Sequence, residues 1–143
     1  DALKEKVLAC FQAGAQASGC RLEHSWSEES RYKSMRTNRV LAEAYRANIE
    51  ALGRSVVEME TRRSMGSTDM GNVSALVPAI HPTIAVAPLD VPIHTVEFRE
   101  MAASEAGHKA LLDSAKALAM TAVDVLTDAD LRKRMGEEFQ SSK

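Results

Sequence analysis

Residues 66–98 read GSTDMGNVSALVPAIHPTIAVAPLDVPIHTVEF. All four prolines of the 143-residue chain and two of its four histidines fall in this stretch. Helical spacing of apolar residues fades where it begins and resumes only near Ser104. A long irregular segment inside a compact domain usually carries a site. The flanking residues therefore read as a helical frame around a block of loops and short strands. Within the block, residues 70–77 fit a short helix, with Thr68 or Asp69 near its start and Pro78 closing it. Residues 83–87 are a short apolar run between Pro82 and Pro88, the pattern of a buried strand. Residues 94–98 suit an extended piece or a turn.

Upstream, Leu3, Val7, Leu8, Phe11 and Ala15 recur at helical spacing over residues 3–17, and Gly19 suits the stop. Residues 20–26 then alternate. Cys20, Leu22, His24 and Trp26 point one way, and Arg21, Glu23 and Ser25 the other, which predicts a half-buried strand. A single strand is marginal in water, so this helix and strand read as the tail of a larger α/β unit. A second helix is expected over residues 35–52, with Val40, Leu41, Ala44, Tyr45, Asn48 and Leu52 on one face and Gly53 as its stop. Residues 55–60 could be a short strand, and residues 61–64 a basic, solvated loop.

Downstream, residues 104–126 give the clearest helical pattern. Ser104 suits the N-cap, and Leu111, Ala115, Leu118, Ala119, Ala122 and Val123 form the expected buried stripe. Thr127 is the expected cap of a last helix that buries Leu131, Met135 and Phe139, with Asp130 at the capping-box position.

The totals set the limits. A length of 143 residues suits one domain, and 45% hydrophobic with 27% charged residues is the globular range. A net charge of −2 argues against a nucleic-acid or membrane-surface partner. No apolar run is long enough to span a bilayer. Cys10 and Cys20 fit no zinc or redox spacing, and read as free thiols of a reducing, cytoplasmic compartment. The sequence starts at Asp1 and not at a methionine, which leaves a cleaved leader open.

No stand-alone catalytic motif is present: no HExxH, no phosphate loop and no GxSxG. The candidates for chemistry are Asp69, His81, His94 and His108. Imidazole can bind zinc, and a carboxylate can bind it or orient a ligand. Each has a plainer explanation. Asp69 could cap a helix, His81 could be a turn residue before Pro82, His94 could close a strand end, and His108 could pack in the first turns of a helix. His24, beside Trp26 on the expected strand, reads as a half-buried structural histidine.

Taken together, Gly66–Ser74 (GSTDMGNVS), residues 77–82 (VPAIHP), residues 92–95 (PIHT) and residues 107–109 (GHK) resemble the C-terminal part of M20-family metallo-amidohydrolases. The nearest branch is that of aminobenzoyl-glutamate hydrolases and M20-domain dipeptidases. The resemblance implies an α/β fold. Residues 1–30 would be the last helix and strand of an inserted lid domain, which commonly forms the dimer contact. Residues 31–143 would be the C-terminal part of a zinc-peptidase-like catalytic domain. It further implies two zinc or manganese ions, with His94 matching the last metal ligand. Asp69 and Asn72 match the loop bordering the substrate. His81 and His108 match recurrent positions without a definite role.

In the family, the other ligands and the glutamate general base lie in an N-terminal half that has no counterpart between Asp1 and Lys143. Glu28-Glu29 and Glu137-Glu138 fall in a connector and a terminal helix, outside the setting of a bridging acid. One histidine cannot hold a catalytic zinc, which takes about three protein ligands. The expectation is a fragment that is inactive alone and keeps no metal. It would belong to an enzyme that cleaves the amide of small N-acyl amino acids, dipeptides or aminobenzoyl-glutamate-like substrates, as a homodimer formed through the lid. The competing expectation is a non-catalytic interaction or dimerisation module derived from that fold.

Overall fold

The computed structural model describes residues 2–27, 30–57 and 67–142. Among them it forms six helices: α1 (Ala2–Ser18), α2 (Arg39–Ala51), α3 (Met70–Ser74), α4 (Val96–Ala102), α5 (Glu105–Thr127) and α6 (Ala129–Ser141). The chain divides into two compact units, Asp1–Arg31 and Tyr32–Lys143.

In the first unit α1 ends as expected. Gly19 takes a left-handed φ of 68°, and the Cys20 N–H closes back on the Ala15 carbonyl at 2.9 Å. The strand expected at residues 20–26 does not form. Cys20, His24 and Trp26 are exposed, and only Leu22 is half-buried. Strand geometry is stabilised by a ladder, and among the described residues no strand lies beside this one. The segment is tied locally instead, with the Lys4 ammonium 5.3 Å from the Trp26 ring centroid.

The second unit is built on α2, α5 and α6. Tyr45, Ile49 and Ala117 make its buried centre, with Leu52, Ile80 and Ile84 packed against it. Ala117 is fully buried, and so small a side chain lets α2 lie close along α5. The expected strand at residues 83–87 does not form: the segment is irregular, bends at residues 86–87, and packs Ile84 against this centre. Residues 55–57 form no strand either, and the rest of that expected strand, with the basic loop at 61–64, lies outside the described residues. The only bridge among the described residues is the isolated parallel pair Thr37 and Ala79. The α/β expectation therefore gives way, for the described residues, to a helical architecture with one bridge.

Helix α2 starts at Arg39, four residues later than its apolar pattern suggests. The backbone of residues 33–38 is bonded elsewhere, and Asn38 supplies the cap by accepting from the Leu41 N–H at 3.0 Å. Asn38 is buried, and its amide also donates to the Met135 carbonyl at 3.0 Å. Glu138, on α6, accepts the N–H groups of Arg39 at 2.8 Å and Val40 at 2.9 Å, one on each carboxylate oxygen. Together Asn38 and Glu138 satisfy the first donors of α2, which an isolated helix leaves open. Replacing Glu138 by Ala is expected to cost about 2 kcal/mol, with a smaller loss for Glu138→Gln. Urea unfolding of both variants checks the value and the order.

Helix α6 is capped by Asp128 and not by Thr127, since Asp128 Oδ1 accepts the N–H groups of Asp130 and Leu131 at 2.9 Å each. Leu131, Met135 and Phe139 face inward as the periodicity predicts. In α5 the periodicity misleads. Its buried residues are Gly107, Ala110, Asp113, Ala117 and Thr121, while Leu111, Leu118 and Val123 of the expected stripe lie outside, 66%, 46% and 56% exposed.

Polar residues can occupy the inner face because each has a partner. The Thr121 hydroxyl donates to the Ala117 carbonyl at 2.8 Å and accepts from the Asn48 amide at 3.1 Å. Asp113 Oδ2 accepts from Lys109 Nζ at 2.7 Å and from Arg54 Nε at 2.8 Å. The Lys109 ammonium, then the Arg54 guanidinium, hold the Asp113 carboxyl below its ordinary value of 3.8 against the opposing pull of desolvation. A carboxyl with a lowered folded-state pKa adds stability that is fully present above the ordinary value and is lost as pH falls through the lowered one. Asp113→Asn is thus expected to unfold at clearly lower urea than the parent at pH 7. The gap should narrow once the pH is brought well below 3.8.

Candidate functional site

Helix α3 has only five residues, and they include most of the GSTDMGNVS run. Its inner side faces the backbone of residues 33–36. The Lys33 N–H donates to Asn72 Oδ1 at 2.7 Å, and the Arg36 N–H donates to Ser74 Oγ at 3.0 Å. Ser74 is fully buried, and its hydroxyl donates to the Gly71 carbonyl at 2.9 Å. Gly71 is buried directly against the Lys33 carbonyl. One register further on, the Asn38 N–H donates to the Ala79 carbonyl at 2.9 Å. Residues 71–79 and 33–38 thus form a backbone clasp. The motif residues Gly71, Asn72 and Ser74 fix the loop to the segment that leads into α2.

Asp69 stands at the entrance of α3 and is exposed. Its side chain makes no capping bond, while the Thr68 hydroxyl accepts the Met70 N–H at 3.2 Å. Helix capping, the plainer explanation of this aspartate, therefore does not account for its carboxylate. Asn72 is half-buried, with its side-chain oxygen engaged in the clasp.

His94 lies in the turn before α4 and is exposed. Its φ is 66°, the only positive value at a non-glycine residue among those described. Such a conformation is uncommon outside glycine and costs of order 1 kcal/mol or more. The neighbouring residue holds it there. The Thr95 hydroxyl donates to the Pro92 carbonyl at 2.8 Å and accepts the Phe98 N–H at 3.1 Å, so it closes the turn and caps α4 together. Residues 94–98 are accordingly a turn leading into a helix. His81 and His108 are exposed, as is His24.

Among the described residues no three His, Cys, Asp or Glu side chains gather in a way that could hold a metal ion. His94 therefore has no second donor within this chain's described part that completes a set, and these residues alone do not fit a catalytic metal. The shallow depression between α2 and α5 does not supply a site either. Its polar members, Asn48 and Asp124, are bonded to each other at 2.6 Å. The clasp residues Gly71, Ser74 and Asn38 escape a reading of single positions. The partner of Ser74 lies 38 residues away, and the Asn38 side chain, outside the clasp, reaches Met135 at a separation of 97.

The chain is similar to dipeptidases, which relates it to peptide hydrolases. The Xaa-Arg dipeptidase of Mus musculus is 38% identical over 140 residues, and that of Homo sapiens 37% over 140 residues. Each match covers 96% of this chain and 32% of the relative. The chain thus spans about a third of the length of the curated relatives it matches. No family model matches it. Among the described residues no helix is long and apolar enough to cross a membrane.

Proposed function

We propose that this chain is one part of a metal-dependent amidohydrolase of the M20 type, active on dipeptides. The observation that carries the proposal is the 38% identity to a dipeptidase along 96% of the chain. In this reading His94 is the one metal ligand the chain contributes, to a centre of two zinc or manganese ions. The remaining donors come from residues outside it. The strained turn at His94 supports the assignment, because backbone outliers held by their surroundings cluster at functional sites. Asp69 and Asn72 border the substrate, Asp69 with its carboxylate unused by the helix it precedes, and Asn72 as part of the clasp that shapes the loop. The relatives' names favour a dipeptide ending in arginine over an aminobenzoyl-glutamate-like amide. A cytoplasmic homodimer joined through the first unit completes the proposal.

The test is metal analysis and hydrolysis of Xaa-Arg dipeptides on the protein expressed from its whole reading frame. Bound zinc or manganese together with hydrolysis is the expected result. A preparation that folds, binds neither metal and cleaves no dipeptide would instead place the chain among non-catalytic interaction modules.

A further inference from the structure

Helix α5 buries a mixed face of small and polar residues and leaves its larger apolar residues outside. Its inner side carries the buried Ala117 against Tyr45 and Ile49 of α2, with Ala110, Asp113 and Thr121 also buried. Its outer side carries Leu111, Leu112, Leu118, Val123 and Leu126, from 46% to 76% exposed. Between these leucines lie Ala115, Ala119 and Ala122, so the outer arc holds no charged residue from Leu118 to Val123. Scattered exposed leucines need no explanation, but a contiguous apolar face on one helix marks a contact.

We infer that the outer face of α5 is an internal packing surface, covered by the residues that dipeptidase-like proteins carry outside the third matched by this chain. The inference rests on the reading of the chain as one part of a larger dipeptidase-like protein. Its support is the length of the relatives. The matched region is 32% of each, so about twice as much polypeptide stands outside it as within it. That is ample to bury one helix face. The face is also uncharged, as the inside of a single folded body requires and as the rim of a transient docking surface does not.

The experiment uses the protein expressed from its whole reading frame, with the exposed Cys10 and Cys20 replaced by serine and a cysteine introduced at Ala122→Cys on the outer face or at Lys116→Cys on a charged, exposed flank, labelling being read on the peptide that carries the new cysteine. Maleimide labelling is followed by mass spectrometry under native conditions, and oligomeric state is measured on the same samples. The expected result is labelling at residue 122 severalfold slower than at residue 116, unchanged on dilution to monomer. Equal labelling at the two positions would overturn the inference. So would protection that vanishes as a dimer dissociates, since the face would then be covered by a second copy. Metal content and dipeptide hydrolysis are read independently. Protection at residue 122 in an inactive, metal-free protein would sink the catalytic reading and leave the packing surface standing.

Discussion

Gly71→Ala is expected to be among the most destabilising single methyl additions in the chain, at about 3–5 kcal/mol. A Cβ at residue 71 runs into the Lys33 carbonyl oxygen, lies 2.7 Å from the carbonyl carbon behind it, and comes within 3.3 Å of the Ser34 carbonyl carbon. These are backbone atoms, so no rotamer change relieves the overlap. Residues 33–36 have to move away. In moving they give up the bonds from the Lys33 and Arg36 N–H groups to Asn72 and Ser74. Ser74, which is fully buried, is then left without the donor it accepts from. The control is Gly136→Ala in α6, where an added Cβ meets nothing within 4 Å. That change is expected to stabilise by about 0.5–1 kcal/mol through better helix propensity. Urea midpoints of the two variants should move in opposite directions. A neutral Gly71→Ala would show that the clasp is not held as tightly as its geometry indicates.

The second large effect separates stability from activity. His94 is held at a φ of 66°, which a glycine adopts freely and a histidine does not. His94→Gly is expected to keep or raise stability, by about 1 kcal/mol. His94→Ala should leave it nearly unchanged, because the side chain is exposed and the left-handed strain persists. If His94 is the ligand proposed, both variants of the whole protein should lose bound metal and lose hydrolysis by orders of magnitude. Folded, metal-replete and active variants would remove His94 from the site. The two substitutions together are informative because an imidazole kept only for packing predicts the reverse. Such a residue would lose stability on truncation and keep its rate.

What could be read from sequence follows the range of the forces involved. Helices α1, α5 and α6 were legible from apolar spacing together with local stop and cap residues such as Gly19 and Ser104, which act within a few positions. The seven-residue α4 is not, since Val96 and Phe98 alternate as the residues of an extended piece would, and its start is set by Thr95, whose hydroxyl also accounts for the turn before it. Apolar spacing inverts the inner face of α5. Hydropathy places leucine inside, whereas the structure places Asp113 and Thr121 inside because Arg54, Lys109 and Asn48 meet them there. Alternation at residues 20–26 predicted a strand, but alternation cannot provide the neighbour that a strand needs. At the candidate site, Asp69, Asn72 and His94 are legible as site residues only through the resemblance of their motifs to a known family. The clasp, and the left-handed turn at His94, appear only in three dimensions.

The bonds that Asn38, Arg39 and Val40 make to Met135 and Glu138 span 97 to 99 residues. They set an order of events during synthesis. When α2 leaves the ribosome, two of its first N–H groups and the buried amide of Asn38 have no partner, and they wait until nearly a hundred further residues have been added. Contacts this distant are paid in loop-closure entropy and come late. The second unit therefore reaches its final form only after α6 has emerged, and a nascent chain halted before α6 holds α2 with a frayed, water-bonded start.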